Sequence, residues 1–259
     1  MIPPHPYARL LADFVGLCRS SFGENLTGVY LHGSSVLGCF HPTGSDIDIL
    51  VVEEREPSAE EKRRFLEGVI PLSAGTPCHG IETSVVPRAA CDPPVHPMPY
   101  WLHFAEWVAA RYREDPEGTI AALRGVDRDL AAHAAVTKAY GVALWGKPVD
   151  EVFGDVSRAD YADAILYDVE NAPEEIAAHP VYLTLNLCRG LAYLREGLIL
   201  SKAGGGDWAA AHLPERFHPW IRRALSAYLS GSGMTEEDGD EEKGRRFADY
   251  MLGEIRKAF

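Results

Sequence analysis

The chain has 259 residues and a formal net charge of −13, with 46% hydrophobic and 24% charged residues. This length suits one large or two moderate domains, and the composition is that of a globular protein with a sizeable core. The acidity argues against nucleic acid as the main partner, because a phosphate backbone requires a basic face. A cationic substrate would suit the charge, although charge alone is equally compatible with a role in solubility.

The first residues lack the basic segment of a secretory signal, and the apolar run after Tyr7 is interrupted by Asp13. No apolar run is long enough to span a membrane. The cysteines are odd in number and include no C-x-x-C pair, which favours reduced thiols. We therefore expect a cytoplasmic protein with no membrane partner.

Two short predicted strands carry the main motif of the chain. β-Branched and aromatic residues predict one strand that ends at His32 and a second over residues 47–52. Side chains alternate between the faces of a strand, so Asp46 and Asp48 point the same way while the isoleucines beside them face the core. The backbone therefore holds two carboxylates side by side.

Two carboxylates at about 4 Å, with an effective dielectric near 20, repel each other by roughly 4 kcal/mol. A divalent metal removes this cost, and hard oxygen ligands on one strand suit Mg²⁺, which completes its shell with water and substrate phosphates. The Gly33-Ser34-Ser35 turn supplies the other half of the chemistry. Glycine lets backbone N–H groups approach a phosphate, and serine hydroxyls can donate to it.

A third strand is predicted over residues 80–86. Its alternation puts Glu82 and Ser84 on one face, so Glu82 lies beside the aspartate pair if the two strands are neighbours. A third carboxylate there could ligate the metal or, with a raised pKa, take a proton from an attacking hydroxyl.

Helices are predicted on both sides of the middle of the chain. Ser58-x-x-Glu61 indicates a capping box for a helix that ends near Gly68, and another helix is predicted over residues 129–144. From about residue 157 onward the pattern is helical throughout, with the glycines at 204–206 interpreted as a break between helices. These patterns place a domain boundary near residue 155.

The Gly33-Ser34 turn followed by Asp46-x-Asp48 resembles the signature of the nucleotidyltransferases. The similarity covers most of the chain and looks closest to the spectinomycin/streptomycin adenylyltransferases, which are aminoglycoside nucleotidyltransferases. The further matching positions are Glu82, Trp107, Arg189, Lys202, Asp207-Trp208-Ala209, Leu213-Pro214 and Tyr228. The resemblance implies an α+β fold, with a nucleotidyltransferase domain built on a small mixed sheet over residues 1–155. A C-terminal α-helical bundle over residues 156–259 would follow, with ATP and drug in the cleft between the domains.

The resemblance also implies roles for individual residues. The triphosphate would be held by Gly33, Ser34 and Ser45. The magnesium ion would be bound by Asp46 and Asp48, and Glu82 would be the general base. From the helical domain, ATP would be reached by Arg189, Lys202 and Tyr228. Basic groups aimed at phosphates make electrostatic sense, because they offset charge that builds on the transferring phosphoryl group.

Drug recognition is implied for three more residues. Trp107 would pack on streptomycin, and acids from the start of the second domain would bind its cationic groups. Glu175 stands where the family has one acid, but His179 stands where a second acid is expected. A neutral imidazole does not replace a carboxylate opposite a guanidinium, so this departure leaves the preferred drug open.

The expected function is transfer of AMP from ATP to a hydroxyl of streptomycin, spectinomycin or both, with Mg²⁺, by a monomeric antibiotic-resistance enzyme. One alternative is a nucleotidyltransferase that modifies a protein or another metabolite, which the fused helical domain disfavours. The other is a non-catalytic nucleotide-binding sensor. The complete set of Asp46, Asp48 and Glu82 argues against that sensor.

Overall fold

The structure is a computed structural model that describes residues 7–41, 45–76, 79–234 and 240–258. The chain divides into two compact units, Met1–Asp160 and Tyr161–Phe259. The first unit contains a mixed sheet with helices and the second is helical, so the predicted α+β fold is confirmed. Within the described ranges, none of the helices has the length and apolarity needed to cross a membrane. The assignment of separate functional domains to residues 1–155 and 156–259 stays a prediction.

A mixed sheet forms the centre of the first unit. The strands of the first unit are β1 (Leu26–Leu31), β2 (Ile47–Glu53), β3 (Ile81–Pro87), β4 (Met98–Tyr100), β5 (Leu102–Phe104), β6 (Gly125–Asp127) and β7 (Val142–Gly146). Its helices are α1 (Ala8–Phe22), α2 (Ala59–Ala74), α3 (Glu106–Glu114), α4 (Pro116–Ala122), α5 (Leu130–Tyr140) and α6 (Val149–Val152). The sheet order is β5-β3-β2-β1-β7, while β4 pairs with β6. Strands β2 and β3 run parallel, and the other neighbours in the main sheet run antiparallel.

Strand β2 is covered on both faces, which explains its near-continuous run of apolar residues. On one face Ile47 packs in a core with Phe14 of α1 and Phe65 of α2. On the other face Leu50 packs in a second core that includes residues of α5. Asp48 shares the face of Leu50 because side chains two apart point the same way. The sheet thus directs Asp48 toward the side on which α5 packs.

Helix α2 begins as predicted, with Ser58 and Glu61 forming a complete capping box. The predicted end near Gly68 is wrong, because the helix continues to Ala74. A Cβ added at Gly68 would lie 2.3 Å from a methyl carbon of Leu17 in α1. This glycine therefore permits a close approach of two helices and does not end one.

The predicted helix over residues 129–144 is also partly wrong. Helix α5 ends at Tyr140, and the residues after Gly141 form β7, which pairs antiparallel with β1. The pairing joins Val29 to Trp145 and Leu31 to Val142. An edge position on the sheet, which local sequence does not encode, has therefore overridden the helical pattern.

The second unit is a helical bundle. Its helices are α7 (Arg158–Val169), which begins just before the unit boundary, α8 (Ala172–Glu175), α9 (Pro180–Glu196), α10 (Lys202–His212), α11 (His218–Ser230) and α12 (Asp240–Ala258). The expected break at glycines 204–206 is wrong, because all three lie inside α10, whose N-terminus is capped by Ser201. A Cβ on Gly205 would meet the backbone nitrogen of Arg189 at 2.8 Å, so this glycine lets α10 approach α9 closely.

Candidate active site

Three carboxylates meet at neighbouring ends of β2 and β3. Asp46 directly precedes β2, Asp48 lies within it, and Glu82 is the register partner of Asp48 in the parallel strand β3. One carboxylate oxygen from each residue lies within 4.8 Å of the others, and all three side chains are partly exposed. Strands β2 and β3 are neighbours, which is the condition under which the sequence predicts that Glu82 lies beside the aspartate pair.

This donor set fits a hard divalent cation such as Mg²⁺. Mg²⁺ prefers carboxylate oxygens and keeps positions for water and phosphate, which partial exposure of the cluster allows. Burial raises the pKa of Glu82, the charge of His133 opposes this shift, and Asp46 adds to it by its charge and by a hydrogen bond. Such mutual repulsion is what a bound cation would relieve.

The Gly33–Ser35 segment forms a short 3₁₀ turn directly after His32, which follows β1. Gly33 has a φ of +62°, and a Cβ there would lie 1.8 Å from a carboxylate oxygen of Asp48. Both facts require glycine, and they place the turn against the carboxylate cluster. The hydroxyl oxygen of Ser34 is buried and makes no hydrogen bond within the described part of the chain, so it has capacity for a ligand.

Ser45 closes the loop between the turn and β2. Its hydroxyl accepts a hydrogen bond from the backbone N–H of His41 at 3.0 Å, and its own N–H donates to the His41 carbonyl at 2.9 Å. Its carbonyl accepts from the N–H of His79 at 3.2 Å. Residues 42–44 of this loop lie outside the described residues. The predicted contact of Ser45 with phosphate stays a prediction.

A histidine and an aspartate on α5 also belong to this region, although neither is among the residues predicted from the sequence. His133 Nε2 lies 3.0 Å from Asp129 Oδ2, one helical turn away. Burial alone would lower the pKa of His133, but Asp129, and then Glu82 and Asp48, raise it to about 10. Its ring also lies 5.0 Å from that of His32. The i, i+4 spacing on a predicted helix is the sequence signal for this pair.

A second group, in which Ser84 and His103 have no predicted role, extends from β3 through β5. Ser84 Oγ and His103 Nδ1 are 3.0 Å apart, and the His103 ring stacks on that of Trp107. Trp107, which was predicted to contact the drug, lies near the start of α3 and is 59% exposed. No sequence signal identifies His103, because its position depends on the register of β5 against β3.

The remaining predicted site residues lie in the second unit. Those predicted to reach ATP are Arg189 on α9, Lys202 at the start of α10, and Tyr228 on α11, and all three are partly buried. The Lys202 ammonium lies 4.7 Å from the centre of the Tyr182 ring, a cation–π contact. Glu175 and His179 are exposed and share one turn, since the His179 N–H donates to the Glu175 carbonyl at 3.0 Å. That these residues share a cleft with the carboxylate cluster stays a prediction.

Comparisons with known proteins agree with the geometry of both units. Residues 14–76 match the model of the nucleotidyltransferase domain, and residues 151–254 match that of the aminoglycoside adenylyltransferase C-terminal domain. The aminoglycoside (3'') (9) adenylyltransferase of Klebsiella pneumoniae is 28% identical over 253 residues, which are 95% of this chain and 94% of that protein. The spectinomycin 9-adenylyltransferase of Staphylococcus aureus is 24% identical over 247 residues, 92% of this chain and 91% of that protein.

A solved structure has the same fold. It is the spectinomycin adenyltransferase AAD(9) from Enterococcus faecialis, determined with ATP and spectinomycin. The TM-score is 0.79 at 22% sequence identity, over 96% of this chain and 98% of that one. Two family models in succession along the chain, and relatives that align with nearly all of it, show that this nucleotidyltransferase enzyme belongs to the aminoglycoside adenylyltransferase family.

Proposed function

We propose that the protein is a Mg²⁺-dependent adenylyltransferase that moves AMP from ATP to a hydroxyl of an aminoglycoside or aminocyclitol such as streptomycin or spectinomycin. The observation that carries the proposal is the cluster of Asp46, Asp48 and Glu82 beside the Gly33–Ser35 turn. The named activities of the relatives, and the ATP bound in the solved structure, support ATP and this class of acceptor.

In this reaction the drug hydroxyl oxygen forms a bond to the α-phosphorus of ATP while the bond to pyrophosphate breaks. Glu82 takes the hydroxyl proton, and its raised pKa brings it closer to the range suited to a general base at neutral pH. Asp46 and Asp48 would hold Mg²⁺. When bound, that ion supplies positive charge against the phosphoryl oxygens and the leaving pyrophosphate.

The phosphates would lie on the turn of Gly33 and Ser34, with Ser45 at the end of its loop. The hydroxyl oxygen of Ser34, which has no hydrogen-bond partner among the residues that the structure describes, supports this assignment. The groups of the second unit that would reach ATP are Arg189, Lys202 and Tyr228. Positioning both substrates by the two units would reduce the entropic cost of bringing them together.

The acceptor would contact Trp107 from the first unit and Glu175 and His179 from the second. Both Glu175 and His179 are exposed and therefore accessible to a ligand. With one carboxylate in place of two, we expect weaker recognition of a drug that carries guanidinium groups. The enzyme would act as a monomer in the cytoplasm.

The test is pyrophosphate release from ATP and Mg²⁺ with a panel of streptomycin, spectinomycin and other aminoglycosides. Glu82→Gln should lower drug-dependent release by at least about a hundredfold, because it removes the base. Glu67→Gln, at an exposed position on α2, is the matched control and should leave the rate unchanged. Tight ATP binding without release for any drug would overturn the proposal and favour a protein acceptor or a nucleotide sensor.

A further inference from the structure

His103 links the carboxylate cluster to the exposed ring of Trp107. Strand β5 pairs with β3 so that His103 lies opposite Ser84, two residues from Glu82 and on the same face of the strand. The Ser84 hydroxyl, in a side chain only 5% exposed, lies 3.0 Å from His103 Nδ1. The position of His103 is therefore fixed both by strand register and by a side-chain hydrogen bond.

The other side of the imidazole meets Trp107. The two ring centres are 6.2 Å apart and the ring planes are inclined by 26°, a stacked arrangement. Trp107 itself is 59% exposed, so burial does little to fix its orientation. An exposed indole that is already held in one orientation loses less conformational entropy when a ligand packs on it.

The charge state of the His103 imidazole is relevant to its hydrogen bond with Ser84. Burial, together with the charge of His133, lowers the pKa of His103 against the opposing charge of Asp127, and this shift favours the neutral ring. A neutral ring has one nitrogen that accepts a hydrogen bond, and Nδ1 can therefore accept from the Ser84 hydroxyl.

We propose that His103 is a positioning residue which, anchored by Ser84, holds the Trp107 indole as a platform for one ring of the bound aminoglycoside or aminocyclitol. This inference rests on the proposed function, in which Trp107 packs on the drug. The platform and the base Glu82 are then connected through adjacent strands in one register. That connection sets where the drug ring rests relative to the group that takes its proton.

The first experiment is a double-mutant cycle read by steady-state kinetics. Ser84→Ala and His103→Phe each remove the hydrogen bond. Ser84→Ala leaves the imidazole ring in place, and His103→Phe replaces it with another aromatic ring. Each should raise the acceptor KM about three- to tenfold with little change in kcat or in the KM for ATP. In a Trp107→Ala background, Ser84→Ala should have no further effect, because the residue through which it acts is gone.

Two further variants separate this role from a general structural one. His103→Asn retains a hydrogen-bonding group near Nδ1 but removes the stacked ring, so it should raise the acceptor KM as Trp107→Ala does. Thr83→Val is the matched control, since it deletes a buried hydroxyl of the same strand that has no hydrogen-bond partner within the described residues. It should leave the acceptor KM unchanged. An effect of Ser84→Ala that persists without Trp107, or no effect at all, would overturn the proposal.

A measurement that needs no turnover keeps the inference distinct from the proposed function. The fluorescence of Trp107 is obtained by subtracting the signal of a Trp107→Phe counterpart from that of the wild type and, separately, from that of Ser84→Ala. In Ser84→Ala this fluorescence should show higher acrylamide quenching and lower anisotropy than in the wild type. Unchanged quenching and anisotropy would overturn the positioning role even if the enzyme adenylylates a drug. If the quenching and anisotropy change as expected but the protein turns over no drug, the role of His103 in holding Trp107 is supported. Only the proposed function is then overturned.

Discussion

The two ends of strand β2 carry acidic side chains in opposite circumstances. At its start, Asp48 shares a partly exposed cluster with Asp46 and Glu82. At its end, Glu53 is 0% exposed, and its Oε2 accepts a hydrogen bond from Asn25 Nδ2 at 2.6 Å. Burial, with the charge of Glu61 adding to it, raises the pKa of Glu53 to about 8, although Arg55 and Lys62 oppose the shift.

The difference shows what separates a structural acid from a functional one. A single carboxylate that is fully buried avoids the cost of desolvating a charge by holding its proton. A cluster that reaches solvent can remain ionised if a cation neutralises it. The charge of His133 from α5 and a bound metal would both act on the cluster in this way. Variants at the two ends of β2 should therefore affect different properties of the protein.

Asp48→Asn should have the largest effect. We expect adenylyl transfer to fall at least about a thousandfold, roughly 4 kcal/mol or more in activation free energy, because a metal ligand is lost. In EDTA the free energy of unfolding should stay the same or rise, because a repulsion among carboxylates is removed. Pyrophosphate release and urea denaturation of the same preparation measure both quantities.

Asp13→Asn, at an exposed position on α1, is the control for Asp48→Asn and should change neither property. An Asp48→Asn enzyme that retains activity within tenfold of the wild type would show that the cluster does not hold the catalytic metal.

Glu53→Gln should change stability and leave activity intact. The folded protein keeps the Glu53 proton up to about pH 8, whereas the unfolded chain releases it near the ordinary value of 4.5. The contribution of this residue to stability therefore falls as pH rises between these values. The resulting loss of unfolding free energy has an upper limit of about 5 kcal/mol. Relaxation of the site should reduce this loss to about 2 to 3 kcal/mol.

Urea denaturation at pH 5, 6.5 and 8 measures the difference between Glu53→Gln and the wild type, which should grow in favour of the variant as pH rises. Glu54→Gln, the exposed neighbour, should show no such trend. A difference that is constant across this pH range would contradict the raised pKa of Glu53.

His133→Leu should have the smallest effect, and one that depends on metal. Because the pKa of His133 is about 10, its positive charge stabilises the cluster at neutral pH and is lost as pH rises through that value. Without metal we expect the variant to lose about 1 to 2 kcal/mol of unfolding free energy. Saturating Mg²⁺ should reduce this loss, because the ion supplies the same neutralisation. Lys138→Leu on the same helix, which removes an ion pair with Asp150, should be insensitive to Mg²⁺.

Those features of the site that follow from alternation within a strand could be predicted from the sequence. The spacing of Asp46 and Asp48 fixed their common face, and the pattern around Glu82 placed it toward them once β2 and β3 proved to be neighbours. The start of α2 was predictable for a similar reason, since a capping box involves only residues close in sequence. Local periodicity carries this kind of information.

Features that depend on distant contacts could not be predicted in the same way. Gly68 and Gly205 resemble helix breaks in the sequence, yet each lies where one helix packs closely on another. Strand β7 forms because the edge of β1 is available, and His103 reaches Ser84 because β5 adds to β3 in one register. These outcomes require the order of the sheet, which one sequence does not supply.

The parallel pairing of β2 with β3 also determines where this protein can change in length. A one-residue slip in either strand would turn its carboxylates into the apolar core beneath the sheet. Residues added to the exposed loop at residues 54–56, before α2, would leave that register untouched, because this loop lies outside the sheet and the helix that packs in the core stays intact. Natural insertions and engineered tags, sensors or fused domains should therefore be tolerated in this loop and rejected within the two strands.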